Sequence, residues 1–280
     1  MVDRPANLPD YQNPPVVEVA LSVRFEPLDR LQTVHIGLLW QAFFREKFSV
    51  VEEHPPLPLV LEAFSGTSQP SLQVEFGPPP LPRQWFLNQD GSQLIQIQSD
   101  GFVHNWRQAT PDLAYPRYEQ VKDQFIVYFA AFRNFLAMES LGDAIPIQCE
   151  VTYVNHIEAG SGWEKPNDFS NVFTTWSGQY SDSFLSDPEQ IRLNVSYVIP
   201  GDEGEPLGRL HIACQPSIRV KDKKRVLVFR LVARGMPDGD GIEGATRFLD
   251  RGREWIVRGF TSFTTGEMHK IWKRRGLNAS

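Results

Sequence analysis

The segment Val17-Glu18-Val19-Ala20-Leu21-Ser22-Val23-Arg24-Phe25 decides the fold. Its apolar residues Val17, Val19, Leu21, Val23 and Phe25 recur at every second position, the signature of a strand with one buried side. A second segment, Gln148 to Glu158, reads the same way. Shifted by 132 positions, Glu18-Val19 and Glu26 fall on Glu150-Val151 and Glu158. The shift is even, so the strand faces are preserved: Cys149, Val151, Tyr153, Asn155 and Ile157 point inward, and His156 and Glu158 share the outward face.

Each of these strands begins a similar series. After the first comes a helix over Thr33 to Phe48, with Ile36, Trp40, Phe43 and Lys47 as one stripe and Leu39 and Phe44 widening it. The proline-rich run after His54 ends it. Three strands follow, Gln84–Leu87, Ser92–Gln98 and Phe102–Arg107, joined by Asn-Gln-Asp-Gly and Asp-Gly turns suited to hairpins. A long helix then opens at Pro116 and closes at Gly142. In the second series, Asp168 caps a short helical stretch with Phe169, Phe173 and Trp176. Strands near Ile191–Ile199, Leu207–Gln215 and Val226–Arg234 come next, and a long helix from Ile242 to Phe263. The expectation is an α+β protein with two similar β-α-β-β-β-α halves, residues 1–142 and 143–280. Each half is expected to be an antiparallel meander sheet covered by its long C-terminal helix, the pair having arisen by internal duplication. Gly252 and Gly259 sit seven apart on the apolar stripe of the last long helix. Glycine there costs ~1 kcal/mol relative to alanine, and close backbone packing against the sheet is the offsetting gain.

Of 280 residues, 41% are apolar and 22% charged, an ordinary globular composition. No apolar run approaches the ~18 residues of a membrane span, and the start, Met1 to Asp10, lacks the apolar core of a secretory leader. With two cysteines, Cys149 and Cys214, both in strand-like segments, a reducing cytoplasm is expected, without membrane contact. The net charge of −6 is uneven: residues 217–280 carry 15 Lys and Arg against 7 Asp and Glu.

Three tracts, Asn13-Pro14-Pro15-Val16-Val17-Glu18-Val19, Cys149 to Ile157, and Phe248 to Trp272, resemble a sporadically distributed family of bacterial proteins. The resemblance covers nearly the whole chain. It implies a bacterial cytoplasmic origin, and it carries over no activity, cofactor or functional residue.

Catalytic signatures are missing. There is no G-x-x-x-x-G-K-[ST] or G-x-G-x-x-G loop, no G-x-S-x-G elbow, and no H-x-x-x-H or C-x-x-C pair, so neither cofactor nor metal is expected. His156 with Glu158 is the best acid–base candidate, against a plain solvated sheet face. Asn155 is either part of a satisfied core network or a ligand contact. Lys221, Lys223, Lys224 and Arg225 at a hairpin turn, with Arg251 and Arg258 of the last long helix, would follow a phosphate backbone or simply keep an edge soluble. The prolines at 55–58 and 78–82 read as stiff connectors or as partner-binding segments. The aromatic connection from Trp163 through Trp176 to Phe184 offers an anchor patch for a partner.

Together these favour a non-enzymatic protein-binding or regulatory component, with a protein partner encoded nearby, in a bacterial accessory system of defence or toxin–antitoxin type. Nucleic-acid binding through the basic C-terminal region is the alternative. A small-ligand or enzyme site between the halves near Asn155 is the third.

Overall fold

Alternation along Val17–Phe25 predicts one buried side, and the computed structural model, which describes residues 8–64, 81–182 and 184–276, has β1 at Val16–Phe25. Val19, Leu21, Val23 and Phe25 are fully buried. Val17 is not among them: a register shift between Val16 and Glu18 turns Val16 inward in its place. The second segment is β6 (Pro146–Glu158), with Cys149, Val151, Tyr153, Asn155 and Ile157 all on the buried face.

β1 and β6 pair with each other, antiparallel, with Ala20 opposite Thr152. This corrects the expectation of two separate sheets. Each half would leave a row of unpaired N–H and C=O groups along its first strand, and joining those two edges satisfies both. The remaining strands are β2 (Val50–His54), β3 (Arg83–Leu87), β4 (Gln93–Gln98), β5 (Gly101–Arg107), β7 (Leu193–Pro200), β8 (Pro206–Ile218) and β9 (Arg225–Gly235). The result is one nine-stranded antiparallel sheet in the order β2-β3-β4-β5-β1-β6-β9-β8-β7. β2 was not foreseen. It is an edge strand of mostly exposed residues and carries no apolar alternation to reveal it.

The apolar face takes the helices. α2 (Tyr118–Met138) packs on β1 and β5. There Phe102 lies 5.3 Å from Phe129 and 5.6 Å from Phe132, ring centre to ring centre. α4 (Gly241–Phe263) packs on β6, β8 and β9. A Cβ added at Gly252 would stand 3.0 Å from the Ala233 Cβ, and one at Gly259 would stand 2.8 Å from Leu210 Cδ2. The two glycines therefore set how closely this helix approaches the sheet. On the opposite side of the helix Glu254 and Arg258 form their i,i+4 pair at 2.9 Å.

α1 (Thr33–Leu39) runs into a π turn over Trp40–Phe44, where the Arg45 N–H reaches the Trp40 carbonyl at 2.8 Å. The wider turn corrects the expected stripe: Ile36, Leu39, Phe44 and Phe48 are buried, whereas Phe43 and Lys47 are exposed. The short helical stretch after Asp168 shrinks to a 3₁₀ turn at Pro166–Asp168 and one turn, α3 (Phe169–Val172). α5 is Gly266–Ile271. Among the described residues no helix is long and apolar enough to cross a membrane.

Candidate functional site

Among the described residues no helix covers the other face of the sheet. Its side chains alternate with the core residues: Glu18, Ala20, Ser22 and Arg24 on β1; Val103, Asn105 and Arg107 on β5; Glu150, Thr152 and Val154 on β6. What crosses this face is the first proline-rich segment. Gln98 accepts from the Leu57 N–H at 3.1 Å and donates to the Leu57 carbonyl at 2.9 Å. Gln148 treats the next stretch likewise, accepting from the Glu62 N–H at 2.8 Å and donating to the Val60 carbonyl at 2.7 Å. The Glu62 carboxylate ends the crossing, 2.6 Å from Arg209 and 2.6 Å from His211, with Arg234 at 3.7 Å. Proline restricts the backbone to extended conformations, so this strap lies flat and two glutamines bind it through backbone atoms alone. The second proline-rich run, apart from Leu81 and Pro82, lies outside the described residues.

Burial alone would raise the Glu62 carboxyl pKa, but bonds from His211 and Arg209 and the charges of His211 and Arg234 outweigh it, holding the carboxyl below its ordinary value. A depressed carboxylate stabilises above its unfolded pKa and loses that contribution as pH falls through the folded one. The expected result is that acid frees the strap. Protection of the Leu57 and Glu62 amides, taken relative to the intrinsic exchange rate at each pH, should fall in acid, and Glu62→Gln should show the low protection already at neutral pH. Unchanged protection in Glu62→Gln would remove the carboxylate from this role.

Beside the strap is a groove of about 570 Å³. Its floor is a polar chain: Arg83 donates to Gln96 at 3.0 Å, Gln96 to Asn105 at 2.8 Å, and Asn105 to Glu18 at 2.6 Å. Arg234 holds Glu150 at 2.6 Å, and Arg24 holds Asp100 at 2.9 Å. Arg83, Arg107 and Arg230 also line the groove, and none has a carboxylate partner among the described residues. Arg83 and Arg107 sit 5.3 and 5.7 Å from the ring centre of Trp85. The Nε groups of both arginines and the indole Nε1 of Trp85 are buried and have no hydrogen-bond acceptor among the described residues. Burial, and then the Arg24 cation, lower the Arg83 pKa. A half-buried guanidinium without a counter-charge costs free energy, and here two stand together.

A second, smaller cavity of about 60 Å³ lies under the helices, where Tyr11 and Val16, α2, α4 and β6 meet. Asn155 lines it, with its amide donating to the Phe229 carbonyl at 3.0 Å and its Oδ1 bonded to nothing among the described residues. Tyr115 and Tyr153 share a hydrogen bond of 2.8 Å at its wall, and Arg253, buried on α4, reaches Glu119 of α2 at 2.9 Å. Burial raises the Tyr115 and Tyr118 phenols well above their ordinary range, so both remain protonated. The three tracts behind the family resemblance all contribute to this cavity. At about 60 Å³ it has room for a water or two rather than an organic ligand. Asn155→Leu should therefore be tolerated within about 2 kcal/mol in a denaturant melt, as the loss of one net amide hydrogen bond implies. A greater loss would point to a larger polar network.

The other sequence candidates are placed as follows. His156 and Glu158 do share a face, but Glu158 is held by Arg219 at 2.6 Å and Lys224 at 2.8 Å. Burial, together with the Arg219 charge, lowers the His156 pKa. Trp163 is buried and donates to the Ile157 carbonyl at 3.0 Å. Trp176 packs on the core edge, while Phe184 farther along the connection is 88% exposed. Most of the basic hairpin and helix is already paired. Lys224 meets Glu158, Arg225 meets Glu164, and Arg251 meets Asp202 and Asp238. Arg258 meets Glu254, and the Lys221 ammonium caps the Ala109 carbonyl. Lys223, at the tip of the hairpin, has no side-chain partner among the described residues. Both cysteines are buried free thiols with raised pKa. Among the described residues no group of three or more His, Cys, Asp or Glu is placed to hold a metal ion.

Sequence reasoning missed Arg83, Trp85, Arg107 and Arg230. Their alternation with core residues was visible, but which strands lie side by side is not written in any one of them. No protein-family model matches the chain, and no curated protein shows significant similarity to it.

Proposed function

We propose that this is a non-enzymatic binding protein of regulatory type that takes an anionic ligand on the open face of its sheet. The observation that carries this reading is the set Arg83, Arg107 and Arg230, unmatched by carboxylates among the described residues around a groove of about 570 Å³. Buried, unused donors on Arg83, Arg107 and Trp85 ask for an acceptor-rich partner. The Thr152 hydroxyl of the groove does donate to Glu150 at 2.8 Å, but Arg234 already holds that carboxylate at 2.6 Å, which favours binding over base catalysis. Nucleic-acid binding through the hairpin is less well supported, because its cations are largely spent on carboxylates of the same chain.

The two halves are, in this reading, copies of one ancestral unit. The 132-residue shift that aligns Glu18 with Glu150 makes Thr152 the counterpart of Ala20, and these two residues face each other between β1 and β6. From that junction the strand order reads outward in the same way on both sides, β5-β4-β3 and β9-β8-β7. Duplication would leave such a pseudo-twofold arrangement, with one half free to diverge toward a ligand.

The test is calorimetric titration with inorganic pyrophosphate and with poly-glutamate at low and moderate salt. Binding of at least one of them is expected to weaken with salt and to fall at least tenfold in the Arg83→Gln, Arg107→Gln double variant. If neither anion binds the natural protein, the reading is wrong.

A further inference from the structure

We infer that the ligand of the groove is an extended, acidic peptide segment of a partner protein; the inference rests on the groove being an anion site. The first support is the strap. The open face already holds one extended peptide, its own residues 57–62, apolar except for the Glu62 carboxylate. Gln98 and Gln148 each bond to both a backbone N–H and a backbone carbonyl, and Arg209, His211 and Arg234 hold the carboxylate. A second peptide beside it would meet the same kinds of group.

The spacing of the free cations is the second. Arg83 and Arg107 share Trp85, whereas Arg230 on β9 is three strands from Arg107 on β5. At ~4.8 Å per strand that is roughly 14 Å, beyond the reach of one phosphate, yet only about four residues of extended chain. The third support is the floor. Glu18 lies in the row between Arg107 and Arg230, where it would repel a continuous phosphate backbone but accept hydrogen bonds from peptide N–H groups. Trp85 offers no free platform for a base either, since His54 stacks on it at 3.9 Å and the two guanidinium groups occupy its surroundings. These features favour peptide over single-stranded nucleic acid.

Asn105 is the residue that makes Arg107 available. Arg107 stands opposite Glu18 just as Arg234 stands opposite Glu150. In the second case the pair is made, at 2.6 Å. In the first, Asn105 takes Glu18, and Arg107 is left to face the groove. At the matching place on β9, opposite Thr152 as Asn105 is opposite Ala20, stands Val232, which makes no such claim. Asn105 is thus a positioning residue that acts through Glu18.

The probes are a peptide of about eight residues alternating glutamate and alanine, its glutamine counterpart, an oligothymidylate of similar length, and pyrophosphate. Fluorescence anisotropy is measured on the full chain. The acidic peptide is expected to bind at least tenfold more tightly than the glutamine version and the oligothymidylate. Arg107→Gln and Asn105→Val should each weaken it several-fold, with circular dichroism melts reporting that both variants fold. Should pyrophosphate or oligothymidylate bind through the same arginines while the peptide does not, the peptide inference is overturned and the anion site stands. Binding of no probe overturns both. Loss in Arg107→Gln with none in Asn105→Val would overturn the positioning role.

Discussion

Replacing Gly252 by valine is expected to destabilise the protein by more than about 3 kcal/mol, the upper range for overpacking a tight core. The first added carbon would already lie 3.0 Å from the Ala233 Cβ and 3.4 Å from Val151 Cγ2. The two further methyls of valine would have to enter the sheet itself. α4 would lift from β6 and β9, and the apolar face beneath it would open. Gly252→Ala is the instructive contrast. Its contact requires a few tenths of an ångström of yielding, against a helix-propensity gain of ~1 kcal/mol, so a small net change is expected. Gly37, in α1, has nothing within 4 Å of an added Cβ, and alanine there should stabilise by up to ~1 kcal/mol. Urea melts of the three variants would decide it. A valine variant as stable as the natural chain would mean that the helix does not seat where glycine allows.

The second large effect is an acid sensitivity centred on His104. This histidine is fully buried on β5, and neither ring nitrogen has a well-formed hydrogen bond among the described residues. Its ring stands edge-on to Tyr128 at 5.1 Å, and the Lys47 ammonium lies 5.0 Å from the centre of the same tyrosine ring. Burial first, and then the Lys47 charge, lower its pKa from 6.5 to about 3, the backbone of Val121 favouring the charged ring too weakly to offset them. The unfolded chain therefore takes up a proton at a pH where the folded one refuses it. Stability is full above 6.5, falls by ~1.4 kcal/mol per unit as pH drops, and levels off near 3. Between pH 7 and 4.5 this one group removes roughly 3 kcal/mol. A His104→Leu variant, with no ring to protonate and no buried nitrogens to leave unmet, should lose that much less over the same interval. At pH 7 it should be at least as stable. Parallel pH slopes for the two proteins would exclude His104 as the cause.

Much of the architecture was legible in single segments. The alternation of Val19, Leu21, Val23 and Phe25 set one face of β1, and the even spacing to Val151 set the matching face of β6. Gly252 and Gly259 announced a close helix–sheet contact. Other features were not legible. The π turn at Trp40–Phe44 shifts the buried stripe because five-residue spacing leaves no trace in a pattern read at 3.6. The edge strand β2 has no buried side to give it a period. Among the site candidates, His156 and Glu158 were placed on the right face, yet Glu158 turned out to serve Arg219 and Lys224, which come from a distant hairpin.

What the sequence determined by itself is local: which residues alternate, where turns break the chain, and which side of each strand must leave water. Those follow from backbone periodicity and the cost of exposing apolar surface, which act within a few residues. Only the tertiary structure decided that β1 and β6 join into one sheet, that a proline-rich strap crosses its open face, and that Asn105 takes Glu18 away from Arg107. Each of these depends on groups far apart in the chain competing for the same hydrogen-bond or charge partner, and the winner is set by which strands become neighbours.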